Sequence, residues 1–161
     1  MAVGYSEFLA VVAAGDPARE VGYEHQKTVL QKNANVLAHR LINGVEPMII
    51  SGTAKGSSDA GLLVWQALAS KPENRKGQFR ETAFLDVQFN IEKLNEYLRS
   101  EVPEWLQALV LVAPSGVTSR LVSLAYTNRR GPGMELRNCV VWASDRTGNV
   151  SFVNGGSLSN W

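Results

Sequence analysis

The chain has 161 residues, of which 45% are apolar and 19% are charged, and a formal net charge of +1. This length suits one domain with a proper core, and the near-neutral charge excludes a global basic field that would attract nucleic acid or acidic membranes. One cysteine, Cys139, excludes an internal disulfide and suits a reducing compartment. Without a bilayer-length apolar run or a signal peptide, we expect a soluble, intracellular protein with no membrane partner, cytoplasmic or within an assembled particle.

The first third of the chain predicts two helices. Ser6 is a suitable N-cap for a short helix that ends before Gly15. Asp16 and Pro17 then suit the N-cap and first position of a second helix, which should run to about residue 43. The second helix carries one apolar stripe at helical spacing, formed by Leu30, Ala34, Leu37 and Leu41.

The middle of the chain alternates between strand and helix patterns. Residues 48–51 form a short apolar run typical of a strand, and residues 58–70 are apolar nearly all round, as in a buried helix. Residues 82–89 alternate between apolar and polar side chains and predict a half-buried strand. Asn90 should cap a helix that ends near residue 100.

The last third is β-rich. Residues 104–113 fit either a helix or a buried strand, and residues 117–127 are also ambiguous, with a strand preferred for their β-branched and aromatic content. Residues 134–143 and 149–153 predict two strands joined by a hairpin connection. The whole pattern predicts one α+β domain over residues 1–161. N-terminal helices precede a mixed or antiparallel sheet, which has helices on one face and a C-terminal β-hairpin.

The loop at residues 52–58 is the one local pattern that suggests a ligand site. A strand, a small-residue loop and a helix N-terminus together can hold an anion, with a lysine as counter-charge. Its spacing matches neither the Walker A pattern nor the dinucleotide glycine pattern, and Asp59 should already occupy the helix dipole. A phosphate-containing ligand or nucleotide at this loop is one hypothesis, through Lys55, Gly56, Ser57 and Ser58.

Basic residues gather in two further loops, at residues 71–80 and 127–133. If the fold brought the loops together, their side chains would form a patch for a phosphate backbone. Nucleic-acid binding is therefore a second hypothesis, through Arg75, Lys76, Arg80, Arg129 and Arg130.

The sequence predicts no catalytic set, no metal site and no cofactor. His25 and His39 lie fourteen positions apart, which separates them by about 21 Å along a helix, too far to share a metal ion. Cys139 has no histidine near it in the chain and suits a buried, inert thiol. An enzyme is the least favoured class.

The favoured hypothesis is a non-enzymatic interaction or assembly protein, a self-associating structural subunit of the viral or phage-particle type. Trp161 follows a polar, glycine-rich tail and would act as an aromatic anchor between copies. The expected partners are other copies of the chain or other protein subunits, with nucleic acid as a possible partner of the basic loops.

Overall fold

The computed structural model describes residues 8–18, 22–127, 138–145, 147 and 149–160. Its helices are α1 (Tyr23–Val36), α2 (Lys55–Ala69), α3 (Ile91–Glu101) and α4 (Ser115–Thr127). Its strands are β1 (Phe8–Ala13), β2 (Pro47–Ser51), β3 (Gln78–Glu81), β4 (Ala108–Ala113), β5 (Val141–Asp145), β6 (Val150–Asn154) and β7 (Ser157–Asn160). A π-helical turn (Leu37–Leu41) extends α1, and a 3-10 turn (Ala83–Leu85) follows β3.

The seven strands form one mixed sheet in the order β3-β2-β4-β1-β5-β6-β7. The strands from β3 to β1 are parallel, whereas β5, β6 and β7 are antiparallel to their neighbours. The carboxyl ends of β1, β2 and β4 therefore lie at one edge, where the antiparallel β5 begins. The predicted α+β domain with a mixed sheet is confirmed.

Helices cover both faces of the sheet, so the prediction of helices on one face is wrong. Alternate residues of β1 show the division: Leu9 and Val11 belong to the core that contains residues of α3 and α4. Ala10 and Val12 belong to the core that contains residues of α1 and α2. A central parallel strand covered on both faces is apolar throughout rather than alternating.

The predicted first helix is in fact β1, which pairs with β4 and β5. Its residues from Leu9 to Ala13 are buried without interruption. A short apolar run of this kind fits a buried strand and a buried helix equally well, so the pattern misled the prediction. Ser6, the expected N-cap, lies outside the described residues.

Two more predictions are wrong between residues 82 and 127. Residues 82–89 form no strand: the Thr82 side chain accepts the Phe84 N–H and starts the 3-10 turn, and Val87 is 78% exposed. The segment preferred as a strand at residues 117–127 is α4. The segment left open at residues 104–113 contains β4.

The C-terminal hairpin is confirmed, since β5 and β6 pair antiparallel with Trp142 opposite Phe152. Both residues contribute to the core on the α3 and α4 side of the sheet. A third strand, β7, follows a turn at Gly155 and Gly156, which both have positive φ. The sequence analysis had treated this segment as a polar tail.

Candidate functional site

A cleft of about 400 Å³ lies at the edge where β1, β2 and β4 end. Among the described residues, four separate parts of the chain form it: the loop after β1, the start of α2, the start of α4 and the residue that precedes Cys139. The described residues that line it are Ala14, Gly15, Asp16, Pro17, Ala54, Gly56, Ser57, Pro114, Ser115 and Asn138. Ligands of open parallel sheets bind at this edge of the strands.

The N-terminus of α2 faces this cleft through its first turn. Its N-cap, Ala54, has no side chain that could accept a hydrogen bond from the helix. The first N–H groups of any helix lack partners within the helix and carry a partial positive charge. Gly56 lets this turn lie directly against the loop after β1, because a Cβ on Gly56 would come within 2.4 Å of the Gly15 carbonyl oxygen.

Ser57 is the buried polar residue of this turn. The residue is 1% exposed, and its hydroxyl has no hydrogen-bond partner among the described residues. A buried, unpaired hydroxyl has a desolvation cost that only a partner can offset. A ligand in the cleft that Ser57 lines would supply such a partner.

Asp59 does not compete for this helix end, contrary to the sequence prediction. Its position lies beyond the first turn of α2, which contains no acidic residue. The Tyr23 hydroxyl donates a 2.5 Å hydrogen bond to the Asp59 carboxylate and ties α1 to α2. Asp59 therefore does not prevent an anion from binding at this helix end.

Other members of the loop at residues 52–58 are already engaged. The Asp86 carboxylate accepts hydrogen bonds from the Thr53 N–H, at 2.7 Å, and from the Thr53 hydroxyl. The Ser58 hydroxyl donates to Glu81. Of the four predicted ligand residues, Gly56 and Ser57 line the cleft, whereas Lys55 and Ser58 are not among its lining residues.

Asp16 is the one ionisable side chain among the described residues that line the cleft. The Gln26 side chain of α1 holds its peptide group: the Asp16 N–H donates to Gln26 Oε1 at 2.7 Å, and Gln26 Nε2 donates to the Asp16 carbonyl at 3.4 Å. The Asp16 carboxylate also accepts the Ala18 N–H at 3.0 Å. The sequence analysis had placed Asp16 at a helix start and so missed it as a site residue.

The basic residues predicted to contact nucleic acid are engaged elsewhere. Arg75 lies 3.8 Å from a Glu46 carboxylate oxygen, and Lys76 lies over the Trp65 ring at 5.5 Å. Arg80 pairs with Glu101 of α3. None of them is a lining residue of the cleft, and Arg129, Arg130 and Trp161 lie outside the described residues.

Both histidines and the cysteine lie outside the described lining of the cleft. His25 and His39 are exposed, on α1 and on the π-helical turn. Burial raises the pKa of the Cys139 thiol, which donates to the Gln26 carbonyl at 3.3 Å. A thiol kept protonated is a poor nucleophile, as the sequence analysis predicted for Cys139.

The architecture has counterparts among solved structures. The structure of the protein histidine phosphatase SixA complexed with tungstate matches with a TM-score of 0.65 and 11% identity over 95% of this chain and 96% of that one. The fold resembles that of the histidine phosphatases. A mycobacterial glucosyl-3-phosphoglycerate phosphatase complexed with VO3 matches with a TM-score of 0.57 and 15% identity over 97% of each chain. No protein-family model and no curated protein sequence matches this chain.

These similarities overturn the prediction of a self-associating structural subunit of the viral or phage-particle type. The two solved structures named above, which share this fold, are both of phosphatases. That prediction was drawn from the near-neutral charge, the glycine- and serine-rich loops, the aromatic end of the chain at Trp161 and the lack of a local catalytic motif. The cleft shows why that inference was wrong: its residues come from four distant parts of the chain.

Proposed function

We propose that this protein binds a phosphate monoester in the cleft at the carboxyl ends of β1, β2 and β4. The buried, unpaired Ser57 hydroxyl carries the proposal, since it lies in the first turn of α2 and lines the cleft. It would donate a hydrogen bond to a phosphoryl oxygen. The N–H groups of the same turn would stabilise the charge, as helix N-termini do for phosphate.

The structural neighbours support this choice of ligand. Tungstate and VO3, which the two phosphatase structures contain, are oxyanions comparable to phosphate. The cleft, at about 400 Å³, lies in the size range of small-molecule sites and leaves space for the organic part of an ester. The short polar side chains of Asp16 and Ser115 also line the cleft and would face that part of the ligand.

The binding test uses isothermal titration calorimetry with sodium tungstate. We expect wild type to bind and Ser57→Ala to bind about tenfold more weakly, the loss expected for one hydrogen bond. The same variant should keep or gain thermal stability, because it removes an unpaired buried hydroxyl. Ser70→Ala, at the other end of α2, is the matched control and should bind as wild type does. Absence of binding by wild type, or equal binding by Ser57→Ala, would contradict the proposal.

Hydrolysis of the bound ester is a second candidate function, favoured by Asp16 in the cleft and by the phosphatase neighbours. The oxygen of a water molecule would bond to phosphorus while the phosphorus–oxygen ester bond breaks. The Asp16 carboxylate would take a proton from the attacking water and pass it to solvent, from which the departing alcohol oxygen would gain one. In the net reaction, the ester and water become an alcohol and phosphate.

Asp16→Asn separates binding from hydrolysis, with p-nitrophenyl phosphate as the ester. Removing the carboxylate should abolish nitrophenol release, and it should tighten tungstate binding because a negative charge leaves the cleft. Nitrophenol release at the wild-type rate by Asp16→Asn would exclude this role of Asp16. If wild type binds tungstate but releases no nitrophenol, the protein binds the ester without hydrolysing it.

We further propose a cytoplasmic location, which suits the one cysteine of the chain, a free and buried thiol. Among the described residues, no helix is long and apolar enough to cross a membrane. Self-association and nucleic-acid contact stay untested predictions.

A further inference from the structure

We propose that Asn33 is a positioning residue for this cleft: it holds Cys139 in a left-handed conformation and thereby sets Asn138 against the bound oxyanion. This inference rests on the proposed phosphate-ester function. It names a buried asparagine on α1 that lies outside the described lining of the cleft.

Cys139 has an unusual backbone. Its φ of 69° makes it the one non-glycine residue with positive φ among the described residues. Side chains with a Cβ rarely adopt this conformation, and such strain persists where surrounding contacts enforce it. Cys139 directly follows Asn138, whose side chain is therefore directed by this turn.

Among the described residues, hydrogen bonds hold both sides of the Cys139 peptide and fix Asn33 itself. The Cys139 N–H donates to the Ala13 carbonyl at 2.8 Å, at the end of β1. The Cys139 carbonyl accepts a 2.6 Å bond from Asn33 Nδ2, and Asn33 Oδ1 accepts the Gly156 N–H at 2.7 Å. Asn33 is completely buried. The nitrogen and the oxygen of its side-chain amide are both hydrogen-bonded to backbone groups.

This arrangement connects two walls of the cleft. Ala13 directly precedes Ala14, and Cys139 directly follows Asn138, so the bond between Ala13 and Cys139 sets the two lining residues beside each other. Asn33 fixes the other side of the Cys139 peptide. Aspartate could not replace it, because a carboxylate cannot donate to the Cys139 carbonyl.

The test measures tungstate affinity in a double-mutant cycle of Asn33→Ala and Asn138→Ala. Each single variant should bind about tenfold more weakly, as for one lost hydrogen bond. The double variant should bind no more weakly than Asn138→Ala alone, because Asn33 acts through Asn138. Asn35→Ala, an exposed asparagine on the same helix, is the matched control and should leave affinity unchanged.

A rescue variant separates positioning from general destabilisation. Glycine adopts positive φ without strain, so Cys139→Gly in the Asn33→Ala background should restore most of the lost affinity. Independent, additive losses from Asn33→Ala and Asn138→Ala, or no rescue by glycine, would overturn the positioning role. If Asn33→Ala does not fold, Asn33→Asp takes its place in the cycle and in the glycine rescue, because it keeps the acceptor for the Gly156 N–H and loses the donor to the Cys139 carbonyl. Failure of wild type to bind tungstate would instead refute the proposed function.

Discussion

The hydrogen bond between Tyr23 and Asp59 decides whether this acidic residue competes with an anion at the start of α2. The Asp59 carboxylate accepts a hydrogen bond from the Tyr23 hydroxyl and is therefore engaged by α1. The sequence places the acid within five residues of the helix start, but it gives no sign of the tyrosine that engages it. The position of Asp59 was therefore predictable, and its effect on the anion site was not.

The same contact makes stability depend on pH. Burial raises the pKa of the Tyr23 phenol above its ordinary value, and the hydrogen bond and charge of Asp59 raise it further. The folded state thus keeps a proton that the unfolded state loses above about pH 10. The free energy of unfolding should fall as the pH rises above this value.

Tyr23→Phe tests this dependence. At neutral pH the variant should be less stable by about 1 kcal/mol, the usual cost of one hydrogen bond. Above about pH 10 its unfolding free energy should decline less steeply than that of wild type, because the shifted phenol is gone. Urea unfolding at a series of pH values, followed by circular dichroism, measures both effects. Parallel pH profiles for the two proteins would be inconsistent with the assignment.

Among the site residues, prediction succeeded where the signal was local. Gly56 and Ser57 were proposed from a strand, a loop and a helix start that are consecutive in the chain, and both line the cleft. Asp16 and Ser115 were missed because the elements before or after them were assigned wrongly. Asn138 was missed because its role depends on a turn held by distant residues.

At the scale of elements, α2 lies close against the sheet because of Gly61. A Cβ at this position would lie 2.6 Å from a Phe79 ring carbon and 2.8 Å from the Ser51 Cβ. Glycine within a helix is intrinsically unfavourable by about 1 kcal/mol relative to alanine. The close approach of α2 to β2 and β3 therefore explains a residue that helix propensity alone would disfavour.

Gly61→Ala should destabilise the protein by about 1–3 kcal/mol, as overpacking does, despite the better helix propensity of alanine. Gly116→Ala is the matched control, since its Cβ would meet nothing within 4 Å and α4 should gain stability from it. Chemical denaturation of both variants measures the difference. A stabilised Gly61→Ala variant would show that α2 can move away from the sheet without cost.

The elements that were predicted correctly carry distinct local signals. Asn90 accepts the N–H groups of Glu92 and Lys93 and starts α3, as a capping residue should. Of the elements that were missed, β1 is buried on both faces of the sheet, whereas α4 packs on the core through Val117, Leu121 and Val122. Their apolar composition fits either type of structure, so local pattern could not decide between them.

At the scale of the whole molecule, the α+β class followed from the sequence but the arrangement did not. The central pairings join β1 to β4, which lies 100 residues further along the chain, and to β5, which lies 129 to 137 residues further along. Which strands pair is decided by non-local contacts that no window of sequence contains. The two-sided cover of helices follows from those pairings, because it requires a sheet whose central strands are apolar on both faces.

The backbone contact between Gly56 and Gly15 has a consequence for how such proteins diverge. Where the wall of a cleft is built from glycine and alanine, peptide groups rather than side chains meet a ligand, and every amino acid except proline supplies the same N–H. At Ala54, whose side chain makes no hydrogen bond to the helix, substitution would leave these N–H groups in place, whereas a side chain at Gly56 would meet the Gly15 carbonyl. Identities of 11% and 15% to solved structures of the same fold therefore say little about the main-chain geometry of this cleft.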